Sequence, residues 1–135
     1  MLIWQPTRVD KSKINLLLTA ALDGGFALLP EDWYVTFGWR SRDEQSALFE
    51  VFRAGGPKAA PPGYSAHEFG LAVDVALDAN AVRGGLQPNW DLNDPRWKAM
   101  IDMVRASKWL HSGIGFGDGG HIELVNWKSR RWEQA

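Results

Sequence analysis

The chain has 135 residues, and its 15 Lys and Arg residues nearly balance its 16 Asp and Glu residues, which leaves a formal net charge of −1. A chain of this length can bury a hydrophobic core of its own, and its balanced charge gives no general attraction to nucleic acid or to membranes. Cysteine is absent, which excludes disulfides, thiolate metal sites and thiol nucleophiles. Any metal ligands must therefore come from His, Asp or Glu.

Residues 1–135 are expected to form a single monomeric domain with no nucleic-acid partner and no membrane insertion. The run from Ile14 to Leu22 resembles a secretory signal only weakly, because Asp10 and Asn15 interrupt the pattern and no small-residue cleavage site follows it. The same run has helical spacing, so we expect a helix here and no signal peptide.

Helices and a strand alternate in the first half of the chain. The first helix is predicted from about Asp10 to Asp23, ending at Gly24 and Gly25. Aromatic and β-branched residues from Trp33 to Trp39 predict a strand. A capping box from Ser41 to Glu44 begins a second helix, which is expected to stop at Gly55 and Gly56. The residues expected to face the core are Ile14, Leu17, Leu18, Ala21 and Leu22 in the first helix and Ala47, Leu48, Val51 and Phe52 in the second.

A carboxylate inside an apolar strand is the first functional signal. After a Gly- and Pro-rich loop over 55–64, bulky and small residues alternate from 71 to 77, and Asp74 lies between two alanines on the small face. An ionised carboxylate there is costly to desolvate unless it is paired or bound to a cation. His67 precedes this strand and His121 begins another, and two imidazoles with one carboxylate suit zinc, with a fourth position open. The alternative is that Asp74 pairs with a buried Arg or caps a loop.

The rest of the chain completes an α+β pattern. A loop from Asp78 to Asn93 precedes a helix that begins at Asp94 and Pro95 and continues to about Leu110. A glycine-rich turn over 113–120 then leads to a short strand over 121–125. This order of elements predicts helices packed on a small, largely antiparallel sheet.

Three further side chains are candidates for chemistry. Asp118 lies three positions before His121, where its carboxylate can take a proton from the attacking water, although Asp followed by Gly is also a common turn pair. Arg40 follows the predicted strand and can stabilise an oxyanion or hold a carboxylate, with a salt bridge to Asp43 or Glu44 as the equal alternative. Gln45 is a weaker candidate. His111, without an acidic neighbour in the sequence, is interpreted as structural or exposed.

These segments together resemble a known family. The pattern Ser65-x-His67-x6-Asp74, then Asp118-x-x-His121, with Gly38-Trp39-Arg40-Ser41-x-x-x-Gln45 upstream, is similar to the zinc peptidases that include D-alanyl-D-alanine carboxypeptidases, related dipeptidases and the L-alanyl-D-glutamate endopeptidases of phage endolysins. The similarity extends from about Trp33 to Trp127. Three separated motifs in the right order are more specific than any one of them.

The resemblance implies a role for each matching position. His67, Asp74 and His121 match the zinc ligands, Asp118 the general base and Arg40 the arginine that stabilises the transition state. Ser65 and Gln45 match positions near the substrate. The family has a hedgehog-like or D-Ala-D-Ala-peptidase-like α+β fold, in which about three helices flank a small antiparallel sheet that carries the metal.

The resemblance also implies a function, hydrolysis of peptide bonds in peptidoglycan stem peptides. We expect an L-alanyl-D-glutamate endopeptidase that acts as a phage or prophage endolysin and collects in the host cytoplasm before it reaches the wall. One alternative is a D-Ala-D-Ala carboxypeptidase of the same family. Another, of a different class, is a non-catalytic zinc-containing module that binds the cell wall, which the presence of Asp118 disfavours.

Overall fold

A six-stranded sheet organises the residues that the computed structural model describes, which are 1–5, 7–78 and 88–131. The strands are β1 (Leu2–Ile3), β2 (Trp33–Phe37), β3 (Ala72–Asp78), β4 (Pro88–Asn89), β5 (Leu110–Ser112) and β6 (His121–Leu124). The α-helices are α1 (Leu16–Phe26), α2 (Arg42–Arg53), α3 (Pro95–Ala106) and the single turn α4 (Trp127–Arg130). Short 3-10 helices occupy Lys11–Lys13, Ala66–Phe69 and Gly113–Phe116.

The sheet is largely antiparallel and β3 lies at its centre. The strand order is β1-β2-β3-β6-β5, with β4 paired to the far end of β3, and only the β1–β2 pair is parallel. The predicted α+β class with about three flanking helices is confirmed, with α4 as a short addition. No helix in the described part of the chain has both the length and the apolar character needed to span a membrane.

The core lies on the face of the sheet that α1 and α3 cover. Val73 and Val75 of β3 are fully buried there, as the alternation predicted. Trp97 of α3 packs edge-on against Trp33 of β2 at a centroid distance of 4.9 Å. On the opposite face of β3, Asp74 lies between the buried Ala72 and Ala76 and is itself only partly buried, so this face is open at Asp74.

The first helix differs from its prediction at both ends. The Asn15 side chain accepts hydrogen bonds from the Leu17 and Leu18 amides, so α1 begins there, and Asp10 instead caps the preceding 3-10 helix. The helix also continues through Gly24 and Gly25 to the buried Phe26. A Cβ at Gly25 would lie 2.5 Å from the Met103 sulfur of α3, so this glycine permits close helix packing and does not end α1.

The core-facing prediction for the second helix is wrong. Its capping box forms as predicted, with the Ser41 hydroxyl accepting from the Glu44 amide and the Glu44 carboxylate accepting from the Ser41 amide. The apolar residues expected to point inward are instead exposed, and only Gln45 of this helix is buried. The exposed positions are Ala47, Leu48, Val51 and Phe52.

The third helix is shorter than predicted. Asp94 caps it and Pro95 takes its first position, but α3 ends at Ala106 and Leu110 begins β5. β5 then pairs with β6, which makes 110–112 part of the sheet that carries the candidate site. Part of the predicted loop before α3, residues 79–87, lies outside the described residues.

We expect Gly70→Ala to lower the free energy of unfolding by about 2–4 kcal/mol. Gly70 has φ of 67°, and an added Cβ would collide with the carbonyl oxygen of Lys13. Urea unfolding measures the change. The matched control is Gly24→Ala in α1, where nothing lies within 4 Å of the added methyl group; it should raise stability by about 0.5–1 kcal/mol. Equal effects of the two substitutions would contradict the prediction.

Candidate metal centre

Three chain segments bring His67, Asp74 and His121 together. Asp74 and His121 are directly opposite each other in the antiparallel β3–β6 pair, and His67 comes from the 3-10 helix just before β3. One ligand atom from each side chain lies within 4.8 Å of the others. The Asp74 side chain is 21% exposed, whereas His67 and His121 are 5% and 11% exposed. The group is therefore nearly buried but open on one side.

The His67 ring is held from both of its nitrogens. Its Nδ1 lies 2.8 Å from the carbonyl oxygen of Gly38, which can only accept, so this nitrogen carries the proton in the neutral ring. Its Nε2 lies 3.3 Å from Asp74 Oδ1. The Arg40 amide also donates to the His67 carbonyl at 3.1 Å. The segment after β2 thus fixes the orientation of this imidazole.

The His121 ring lies between two carboxylates. Its Nδ1 is 3.2 Å from Asp74 Oδ1, and its Nε2 is 2.8 Å from Glu123 Oε1. The motifs did not identify Glu123. The only sequence signal was its position two residues after His121, which places both side chains on one face of a strand. His111 lies opposite Glu123 on β5, with Nδ1 at 3.8 Å from Glu123 Oε2. It is exposed, as predicted, but it does have an acidic neighbour in the fold.

Charge is concentrated in this cluster. Burial alone would raise the pKa of Asp74, but the neighbouring His121 and His67 rings outweigh it and hold that pKa well below the usual value. Burial alone would lower the pKa of His121, yet its hydrogen bonds to Asp74 and Glu123 raise the pKa to about 9. Asp74 is thus ionised and His121 is protonated at neutral pH in the metal-free protein.

The donor set fits a divalent transition metal. The Gly38 carbonyl contacts the outward nitrogen of His67, and the Glu123 carboxylate contacts the outward nitrogen of His121. His67 Nε2 and His121 Nδ1 therefore face the Asp74 carboxylate. Two imidazoles and one carboxylate with an open side are the ligand pattern of catalytic zinc sites. No Arg or Lys neutralises Asp74 among the ion pairs of the described residues, so the sequence alternative of a buried Arg partner is wrong.

Asp118 is exposed and lies on the glycine-rich turn before β6. Its amide donates to Gly113 and its carbonyl accepts from the His121 amide, which ties the turn to the cluster. Partial burial of the carboxyl and the negative charge of Asp74 raise the pKa of Asp118. Asp118 is thus a turn residue, and the charges of the cluster affect the pKa of its carboxyl.

The end of the glycine-rich turn has no room for larger residues. A Cβ at Gly120 would lie 2.8 Å from the Val75 carbonyl oxygen, and one at Gly119 would lie 2.9 Å from a Leu92 methyl carbon. Phe116, in the same turn, is 54% exposed and packs edge-on to the His121 ring at 5.6 Å. Glycines therefore allow the turn to lie close to β3, while an aromatic ring borders the open side of the cluster.

Arg40 does not form the salt bridge that was its alternative. Its Nη1 donates to Gln45 Oε1 at 2.8 Å, and Gln45 Nε2 donates to the Ala60 carbonyl at 2.7 Å. Because Gln45 is 1% exposed, its amide is fully engaged inside the protein. Substrate binding by Gln45 stays a prediction, and its observed contacts are with Arg40 and the 55–64 loop.

Ser65 leads into the 3-10 helix that carries His67. Its amide donates to Glu68 Oε2 at 3.1 Å, and the same carboxylate accepts from the Gly63 amide at 2.9 Å. The Glu68 side chain is 4% exposed. The motifs do not include Glu68, whose carboxylate holds the end of the Gly- and Pro-rich loop beside His67. A substrate contact of Ser65 stays a prediction.

Solved structures with the same fold are peptidoglycan peptidases. An L-Ala D-Glu endopeptidase, ChiX, from Serratia marcescens aligns with a TM-score of 0.63 and 22% identity, over 98% of this chain and 95% of the other. The D,D-pentapeptidase VanY of a VanB-type resistance cassette, in complex with Zn(II), aligns with a TM-score of 0.58 and 14% identity, over 98% and 92%. The chain has the VanY-like peptidase fold. This finding confirms the resemblance inferred from the motifs.

Sequence comparison points to the same VanY-like group. A D-alanyl-D-alanine carboxypeptidase from Enterococcus faecium is 29% identical over 86 residues, which is 64% of this chain. The match spans only 26% of that relative's length. No family model matches the sequence.

We expect zinc affinity to rise with pH, by about tenfold per unit between pH 6 and 8, because the metal needs the neutral His121 ring and must displace its proton. The pKa of about 9 places this proton on the metal-free protein throughout that range. Calorimetry in two buffers of different ionisation enthalpy measures the protons released. Binding that is independent of pH, with no proton release, would show that His121 is neutral before zinc arrives.

Proposed function

We propose that the protein is a zinc-dependent peptidase that hydrolyses peptide bonds in peptidoglycan stem peptides. The observation that carries this proposal is the convergence of His67, Asp74 and His121 within 4.8 Å on the open face of the sheet. The relatives of the same fold are named as peptidases of this substrate class. A non-catalytic module that only held zinc would have no use for the acidic side chain on the adjacent turn.

His67, Asp74 and His121 would hold the zinc ion. When bound, zinc supplies Lewis-acid polarisation of the scissile carbonyl and makes an attacking water more acidic. The chain itself must then move one proton and stabilise one developing negative charge.

Asp118 is proposed as the group that moves the proton. Its carboxylate accepts a proton from the attacking water and donates it to the amine that leaves. The turn before β6 is tied to the cluster through the His121 amide, which donates to the Asp118 carbonyl, and the charge of Asp74 acts on the Asp118 carboxyl. Its raised pKa makes the carboxyl a better proton acceptor than an ordinary surface aspartate.

Arg40 is proposed to stabilise the negative charge on the carbonyl oxygen. A guanidinium needs a fixed orientation for this role, and Gln45 supplies it by accepting from Nη1 at 2.8 Å. Nη2 and Nε have no protein partner among the described hydrogen bonds of Arg40. They are therefore the donors that can reach the substrate.

For the scissile bond we propose the link between L-Ala and D-Glu. The endopeptidase neighbour matches over 95% of its own length and has the highest TM-score of the solved structures considered above. We further propose that the protein acts as a phage or prophage endolysin, which collects in the host cytoplasm and reaches the wall after release. A D-Ala-D-Ala carboxypeptidase is the second candidate, favoured by the sequence match to the Enterococcus faecium enzyme.

Incubation of purified sacculi with the zinc-loaded protein should release soluble peptides, and mass spectrometry of the fragments identifies the bond. Fragments that begin with D-Glu indicate the endopeptidase, whereas free D-Ala indicates the carboxypeptidase. A chelator and Asp118→Ala should each reduce release to background, and the Asp118 variant should still bind zinc. Protein that binds sacculi without releasing any peptide would contradict the proposal and support the binding module.

Arg40→Ala should reduce kcat by about 10²–10³-fold, the usual cost of losing one donor to an oxyanion. The protein should stay folded because Arg40 is only partly buried. Arg53→Ala is the matched control, since Arg53 lies on α2 and pairs with Glu50 at the exposed surface. Turnover should be unaffected in this control, and an equal rate for both variants would remove Arg40 from the mechanism.

A further inference from the structure

Among the described residues, Glu123 is the one carboxylate outside the cluster of His67, Asp74 and His121 that contacts the side chain of a proposed metal ligand. It lies on β6 on the same face as His121, and its Oε1 is 2.8 Å from His121 Nε2. Its side chain is 15% exposed. A nearly buried carboxylate at this distance is a directed hydrogen-bond acceptor and not a solvated surface group.

The sheet makes room for this contact. Glu123 is directly opposite Ala72 of β3, and Ala72 is fully buried. A methyl side chain at that position leaves the space that the Glu123 carboxylate needs to reach along the strand toward His121. On the other side, His111 of β5 is 58% exposed, and its Nδ1 lies 3.8 Å from Glu123 Oε2. One carboxylate oxygen therefore faces His121 and the other faces the solvent edge.

The chemistry of the contact determines which nitrogen of His121 can bind metal. An ionised carboxylate only accepts hydrogen bonds, so the proton shared with Glu123 must belong to Nε2. In the neutral ring the lone pair is then on Nδ1, which is the nitrogen that lies 3.2 Å from Asp74 Oδ1. Without Glu123, the ring could take either tautomer and turn its Nε2 toward the cluster.

We infer that Glu123 is a positioning residue that keeps His121 protonated on Nε2 and directs Nδ1 to the metal. This inference rests on the proposed zinc site, and it adds a residue that none of the motifs contains. Such outer carboxylates orient the ring and make its ligating nitrogen more basic. Glu123 thereby does for His121 what the Gly38 carbonyl does for His67.

The test measures binding of zinc alone to the full chain by competition with a chromogenic chelator. Glu123→Ala should weaken zinc binding by about 10–100-fold. Glu123→Gln should recover most of the affinity, because its amide oxygen accepts the same Nε2 proton. His111→Ala, which removes the outer neighbour of Glu123, is the matched control and should retain nearly full affinity. Nitrogen-15 NMR of the zinc-loaded unmodified protein should show Nε2–H and a metal-bound Nδ1 for His121.

Two results would overturn the positioning role. One is a Glu123→Ala protein that binds zinc as tightly as the unmodified chain, still through His121 Nδ1. The other is an equal loss of affinity in His111→Ala, which would indicate general disorder of the strand pair. If Glu123→Ala does not fold, as judged by circular dichroism, the test uses the zinc affinity of Glu123→Gln and the NMR assignment. Zinc bound through His121 Nε2 in the unmodified protein would then contradict the positioning role. Affinity losses as expected, with no cleavage of sacculi by the zinc-loaded protein, would remove the proposed activity and leave the positioning role intact.

Discussion

The burial of the Asp74 carboxylate is the constraint on which the site depends. Desolvation opposes its charge, and the neighbouring His121 and His67 rings are what keep it ionised. One of these partners is fixed by the β3–β6 register and the other by the turn into β3. A shift of one residue in that register would move Asp74 to the core face and Val73 or Val75 to the open face. The register of the sheet therefore determines whether the site can form.

The imidazoles are held by groups that do not belong to the cluster. The Gly38 carbonyl follows β2 and accepts from His67, while Glu123 on β6 accepts from His121. Each outer acceptor determines which nitrogen faces inward. The inward geometry is consequently set by the backbone after β2 and by a side chain of β6 before any ligand arrives.

The sequence was sufficient to predict local features, such as helix caps and the strand at Asp74, and the residues of the motifs. Asp94 and the Ser41 capping box act as helix caps as predicted, whereas Asn15 and not Asp10 starts α1. The alternation around Asp74 predicted its strand because period-two burial is a local property. The convergence of His67, Asp74 and His121 was predicted from their residue types and was supported by the resemblance to known peptidases, whereas the strand pairing was not readable.

Features that depend on contacts distant in sequence were not predictable in this way. Glu123 was missed because strand spacing alone does not show that its carboxylate contacts His121, and its neighbour His111 comes from the pairing of β5 with β6, where residue 110 was assigned to a helix. The end of α1 was misplaced because close packing against Met103 favours a glycine within the helix. The apolar face of α2 followed helical spacing, but spacing does not reveal whether another element covers that face.

The exposure of α2 has a consequence for the dynamics of the site. Gln45 is its only buried residue, so little apolar contact opposes the separation of this helix from the sheet. Gln45 also connects Arg40 to the Ala60 carbonyl, and thereby couples the guanidinium to both the helix and the adjoining loop. A sub-global opening of α2 would thus disorder Arg40 while β3 and β6 stay paired. We therefore expect the segment that holds Arg40 and the strands that carry Asp74 and His121 to open with different free energies.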